Sequence, residues 1–127
     1  MRVFLLLIAA AFTALAQGTS VASLLTKDIP EFRGKEVIML TVTYAPGQES
    51  TAHRHNAHVF VYVLEGSVVM QVAGGEAKTF VPGDTFYEKP TDIHVVSKNA
   101  SADKPAKILV TMLKDKDKPV SEPVNRK

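Results

Sequence analysis

From Val37 to Leu113, short β-branched and apolar runs are cut again and again by glycine and proline. That punctuation limits what the chain can become. Val37 to Tyr44 (VIMLTVTY) ends at Ala45-Pro46-Gly47-Gln48, and Val59 to Leu64 (VFVYVL) is stopped by Glu65-Gly66. Ser67 to Ala73 stops at Gly74-Gly75, and Lys78 to Val81 leads into Pro82-Gly83-Asp84. Thr85 to Glu88, Ile93 to Ser97 and Lys107 to Leu113 complete the series. Each run is too short for a stable helix and rich in strand-forming residues. Six or seven short strands at roughly 8–12-residue spacing predict an all-β, single-domain barrel or jelly roll. Residues 17–36 are ambiguous, because Val21 to Leu25 suits a short strand or a helical turn.

The two ends read differently from the middle. Met1-Arg2 is a minimal positive start, Val3 to Ala16 is apolar apart from Thr13, and Ala14-Leu15-Ala16 has the small-x-small form of a cleavage site. Residues 1–16 are therefore expected to be a signal peptide. Cleavage would leave Gln17 as the new N-terminus and export the protein to a periplasmic or secreted location. The apolar run falls short of the roughly 18–20 residues of a membrane-spanning helix, so no stable membrane anchor is expected. At the other end, residues 114–127 (KDKDKPVSEPVNRK) alternate in charge and carry two prolines. They are expected to form a charged, flexible tail.

Composition excludes several functions. The 127 residues suffice for one domain, and 46% hydrophobic with 22% charged residues is a globular balance. Fifteen basic residues against thirteen acidic ones are scattered without a stripe, so no nucleic-acid partner is expected. The lack of cysteine removes disulfides, thiolate ligation and a cysteine nucleophile. No phosphate loop, nucleophile elbow or H-E-x-x-H helix occurs, which leaves the catalytic residues unassigned.

The chemistry concentrates in four histidines: His53, His55 and His58 within six residues, and His94 far along the chain. Residues i and i+2 of a strand share a face, so His53 and His55 can point two imidazoles at one place. Metal binding needs further ligands from other strands, typically a distant histidine and a carboxylate. His58 lies out of that phase and should point outward.

Pro46-Gly47, five residues, His53-Arg54-His55 and then VFVYVLEG ending at Gly66 resemble the first motif of the cupin superfamily. Pro82-Gly83-Asp84 and the step from Gly83 to His94 resemble its second motif. The resemblance spans residues 37–113. It implies a double-stranded β-helix and a divalent transition metal (Fe, Mn, Ni, Cu or Zn) inside the barrel. The function it implies is action on a small organic molecule by a dioxygenase-, decarboxylase- or isomerase-like reaction, or non-catalytic ligand or metal binding. It also implies a homodimer, with residues 17–36 as an N-terminal segment able to reach across to the neighbouring barrel.

The departures from the motifs are specific. Val59 stands where the family has its metal-binding glutamate, Lys89 and Thr91 replace a proline and a glycine, and Lys98 takes an asparagine position with Asn99 next to it. His53, His55 and His94 are left as candidate ligands, and Glu88 as the candidate substitute carboxylate. The competing reading of Glu88 is a rim residue paired with Lys89. Strand alternation gives Glu88 the face of Phe86 and His94 the face of Val96. Phe60, Tyr62, Met70 and Phe86 are candidate pocket residues, with core packing as the competing reading. Arg54 should face away from its histidine neighbours, as a surface or dimer-contact residue.

Overall fold

The computed structural model describes residues 18–124, so the segment expected to be a signal peptide lies outside the described residues. Those residues form ten strands and no helix. They are β1 (Ser20–Asp28), β2 (Lys35–Tyr44), β3 (His53–Arg54), β4 (His58–Glu65) and β5 (Val68–Val72), followed by β6 (Lys78–Phe80), β7 (Thr85–Glu88), β8 (His94–Asn99), β9 (Ala106–Asp115) and β10 (Glu122–Pro123). Two five-stranded sheets result, in the orders β1-β2-β9-β4-β7 and β10-β3-β8-β5-β6. The pairings are antiparallel, and the fold is the expected all-β double-stranded β-helix.

Alternation along β4 and β9 decides which side chains face inward. Val59, Val61 and Val63 are buried on β4, and Ala106, Ile108, Val110 and Met112 on β9. Register then stacks these residues into rungs across the first sheet. Leu40, Val110, Val61 and Phe86 form one rung, which is wholly apolar. Ile38, Met112, Val59 and Glu88 form the next, so its last position is a carboxylate.

The turns between strands follow their residue chemistry. At Ala45-Pro46-Gly47-Gln48 the Gln48 N–H donates to the Ala45 carbonyl at 3.0 Å, with Gly47 at φ 69°. This is the turn that Pro-Gly favours, since proline presets the second position and glycine accepts the positive φ of the third. Gly66 is needed for a different reason. At φ 65°, a Cβ there would press into the Pro105 carbonyl oxygen and lie 2.9 Å from the Ala106 Cα.

Val21 to Leu25, read as a short strand or a helical turn, lie within the longer edge strand β1, paired with β2. Two other regions differ from expectation. Part of the expected flexible tail belongs to the barrel: β9 runs on to Asp115, and Lys114 is buried with its ammonium 2.8 Å from Glu36. Glu122 and Pro123 then pair with β3. The face assignment in β8 is also corrected. His94 pairs with Val72 while Val96 pairs with Gln71, so a bulge at Val95 shifts the phase by one residue. Ser97 and Asn99 therefore share the buried side with His94, and Val96 does not. The same extra residue explains why the motif's asparagine stands one place late. Asn99 is buried, donates to the carbonyls of Tyr44, Ala45 and Lys104, and accepts from the Ser101 N–H.

Candidate metal centre

β3 is only two residues long, but it sets the site. His53 is paired in register with His94, the first residue of β8. His55 follows one residue beyond β3. Glu88 ends β7 directly across the ladder from Val59, before a turn in which the Asp92 N–H donates to the Lys89 carbonyl. The carboxylate missing from β4 is thus supplied by the neighbouring strand, on the same inward face.

The four side chains lie close together, and the donor atoms of three of them converge. The His53 ring lies 4.9 Å from that of His55 and 5.2 Å from that of His94, and His55 and His94 are 5.6 Å apart. Glu88 Oε2 is 2.8 Å from His94 Nε2 and 3.4 Å from His55 Nε2. One donor atom each from His55, Glu88 and His94 fall within 4.8 Å of one another, so these three residues could hold a metal ion. Glu88 is 5% exposed and faces the histidines, which is not the position of a rim residue paired with Lys89.

Two of the imidazoles are oriented by main-chain carbonyls. His53 Nδ1 donates to the Thr51 carbonyl at 2.7 Å, and His55 Nδ1 to the Val120 carbonyl at 2.6 Å. A carbonyl only accepts, so each ring carries a proton on Nδ1, and in the neutral ring Nε2 is then the nitrogen with a free lone pair. Burial, reinforced by the neighbouring imidazoles, holds the His53 pKa below the usual histidine value despite the opposing pull of the Thr51 carbonyl. His53 is therefore neutral at pH 7, the form that ligates.

His94 and Glu88 are less well satisfied. His94 is 2% exposed, and neither of its ring nitrogens has an aligned hydrogen-bond partner; nor does Glu88 Oε2, despite the short separation between them. Such buried atoms cost about 1–3 kcal/mol each when nothing meets them. A divalent cation would satisfy His94 Nε2 and Glu88 Oε2 together. The donor set of imidazole nitrogen and carboxylate oxygen fits a first-row divalent ion.

The centre opens onto a cavity of about 530 Å³ between the sheets, with apolar walls that include Val42, Val61, Met70, Ile108 and Val110. Of the pocket residues expected from sequence, Met70 lines this cavity. Phe60 and Tyr62 do not. Val59, Val61 and Val63 take the inward positions of β4, which turns Phe60 and Tyr62 outward at 53% and 44% exposed. Phe86 packs into the core against Phe80, with ring centroids 4.6 Å apart, and is not among the cavity's lining residues. His58 is exposed on the outer face, hydrogen-bonded at 2.6 Å to the Tyr87 hydroxyl. Arg54 is also exposed and reaches Glu122 on β10 at 3.3 Å. The carbonyls of Thr51 and Val120, which orient the two histidines, leave no mark in the sequence because any residue can provide a carbonyl.

Residues 40–112 match the family model for the cupin domain. No curated protein matches the sequence closely enough to count as a relative. Among solved structures, a conserved protein with a double-stranded β-helix domain from Klebsiella pneumoniae superposes with a TM-score of 0.66 at 17% identity, over 88% of this chain and 89% of that one. Recombinant oxalate oxidase in complex with glycolate gives 0.64 at 22% identity, over 91% of this chain and 59% of that one. The DMSP lyase DddQ from Ruegeria pomeroyi gives 0.61 at 20% identity, over 68% and 42% respectively. This chain thus spans less than two thirds of the length of either enzyme, and what it shares with them is the fold. With the family model covering the barrel from Leu40 to Met112, and the two-sheet architecture matching these structures, the chain belongs to the cupin family.

Proposed function

We propose that this cupin holds one divalent transition metal through His53, His55, His94 and Glu88, and that a small organic molecule binds beside it in the cavity. The supporting observation is the convergence of donor atoms from His55, His94 and Glu88, with the His53 ring 5.2 Å from that of His94; His53 and His55 are pre-oriented by carbonyls, and His94 and Glu88 have buried, unpartnered donor atoms. A bound metal would supply Lewis-acid polarisation of an oxygen donor. The protein's own part is to keep His53 and His55 in the ligating tautomer, to hold Glu88 as an inward carboxylate, and to screen the site with valine, isoleucine and methionine side chains. Turnover by a dioxygenase-, decarboxylase- or isomerase-like reaction is the favoured reading, in keeping with cupin folds among oxalate oxidases and DMSP lyases. The alternative, small-ligand or metal binding without turnover, uses the same site.

Cobalt(II) titration of the purified protein tests the metal reading. One equivalent should produce visible d–d absorption, and a spectrum no different from free cobalt would refute it. Oxygen uptake or product formation with candidate acids then separates the enzyme from the binding protein.

Export and pairing belong to the same proposal. Cleavage after Ala16 predicts an intact mass beginning at Gln17, and retention of Met1 in a membrane fraction would contradict it. The homodimer is supported by outward-facing Phe60, Tyr62 and Tyr87 and by the exposed strand β1. Light scattering should give twice the chain mass; a single-chain mass would refute the dimer.

A further inference from the structure

The cavity has a second polar end. Tyr44, the last residue of β2, lines the same cavity as the histidines, and its buried hydroxyl lies 2.8 Å from Ser97 Oγ. Ser50 is a second hydroxyl partner of Tyr44. Three hydroxyls carry three protons, and linking them in a chain uses two, so one O–H donor remains for a guest. Burial raises the Tyr44 pKa, with Glu88 adding to the effect, which keeps the phenol a neutral donor. Ser97 and His94 are three residues apart on β8, so the two ends are separated by at most about 10 Å along the strand.

The charge inventory between these ends is one-sided. Among the described residues lining the cavity there is no lysine or arginine, whereas Glu49 and Glu88 both line it. A divalent ion with one carboxylate ligand retains a single positive charge, which one anionic donor neutralises. A second carboxylate on the ligand would find no cation in the cavity lining to pair with. The same cavity carries apolar side chains, among them Val42, Val61, Met70 and Ile108.

Resting on the metal reading above, we propose that the ligand is an apolar-bodied monocarboxylate with a carbonyl or hydroxyl about four to five atoms from its carboxyl end. The carboxylate meets the metal, and the distal oxygen accepts a hydrogen bond from the Tyr44–Ser97 hydroxyl pair. Dicarboxylates are rejected, because nothing at the Tyr44 end compensates a second charge.

The test is calorimetric titration of the cobalt-loaded full chain with 4-oxopentanoate, pentanoate and glutarate. The oxo acid should bind about 3–10-fold more tightly than pentanoate, the difference one neutral hydrogen bond makes. Glutarate should bind at least about 10-fold more weakly than pentanoate. Tyr44→Phe should bring the oxo acid and pentanoate to within about two-fold of each other, with an unchanged cobalt spectrum showing that the barrel is intact. Ser97→Ala should narrow the same gap. Glutarate binding as tightly as pentanoate overturns the proposal. So does an oxo-acid preference that survives in both variants, or failure of the two monocarboxylates to bind cobalt-loaded protein. A missing cobalt spectrum would instead bring down the metal reading itself, and this proposal with it.

Discussion

Glu88→Gln is the most informative single substitution, because it keeps the shape of the side chain and removes its charge. Glu88 Oε2 is 2.8 Å from His94 Nε2, buried, and without an aligned hydrogen-bond partner. If it is a ligand, the variant loses a charged contact of about 1.5–3 kcal/mol, which raises the metal dissociation constant about 10–150-fold. At a metal concentration 100 times the parent's dissociation constant, binding stabilises the parent by about 2.7 kcal/mol. For a domain near 100 residues that is a rise in Tm of about 10–20 °C. The variant at the same metal concentration keeps only about 0.3–1.4 kcal/mol, so the metal-induced rise shrinks to about half or less. Without metal the order should reverse. Exchanging a poorly satisfied buried carboxylate for a neutral amide should leave the metal-free variant at least as stable as the parent. Thermal unfolding of both proteins with and without the metal measures all four values. An equal metal-induced shift in parent and variant would show that Glu88 is not a ligand, whatever its proximity to His94.

Three further perturbations probe the supports of the site. Deleting residues 120–127 removes the Val120 carbonyl that orients His55 and the β10 pairing on β3; metal affinity should fall about 10–100-fold in a cobalt titration, with the barrel still folded. Lowering pH should destabilise the metal-free protein. The His53 pKa is depressed by burial in the fold, so its contribution is complete above the unfolded value of about 6.5 and is lost as pH falls through the lower folded value. Unfolding midpoints across that range should show the loss, and His53→Gln should flatten it. Gly66→Ala should cost about 1–3 kcal/mol, because a Cβ at φ 65° collides with the Pro105–Ala106 backbone; a midpoint within about 1 °C of the parent would contradict this.

The strands of the barrel were legible because each is bounded by a turn whose chemistry is local. Pro46-Gly47 and Gly74-Gly75 mark strand ends whatever the rest of the chain does. Register is not local, and the features that depend on it were the ones misplaced. Phe60 and Tyr62 read as pocket residues until Val59, Val61 and Val63 claim the inner face of β4. The face of Val96 was misassigned because a bulge at Val95 cannot be seen in a period-two pattern. Three of the four clustered side chains, His53, His55 and His94, came from motif spacing. Glu88 was suggested by the loss of a carboxylate at Val59, and only the ladder shows that the two positions are directly paired. The tail misled for a different reason. KDKDKPVSEPV looks solvated throughout, yet Lys114 is buried against Glu36, and the Val120 carbonyl is recruited for its backbone, about which side-chain composition says nothing.

Elemental analysis of the protein purified from its native compartment decides whether the site holds a metal, since overexpression can load a foreign ion. One divalent transition metal per chain is expected, reduced to background in the His53→Ala/His94→Ala double variant, because His55 and Glu88 alone hold such an ion poorly. A stoichiometric metal retained by that variant, or none in the native protein, would contradict the metal reading.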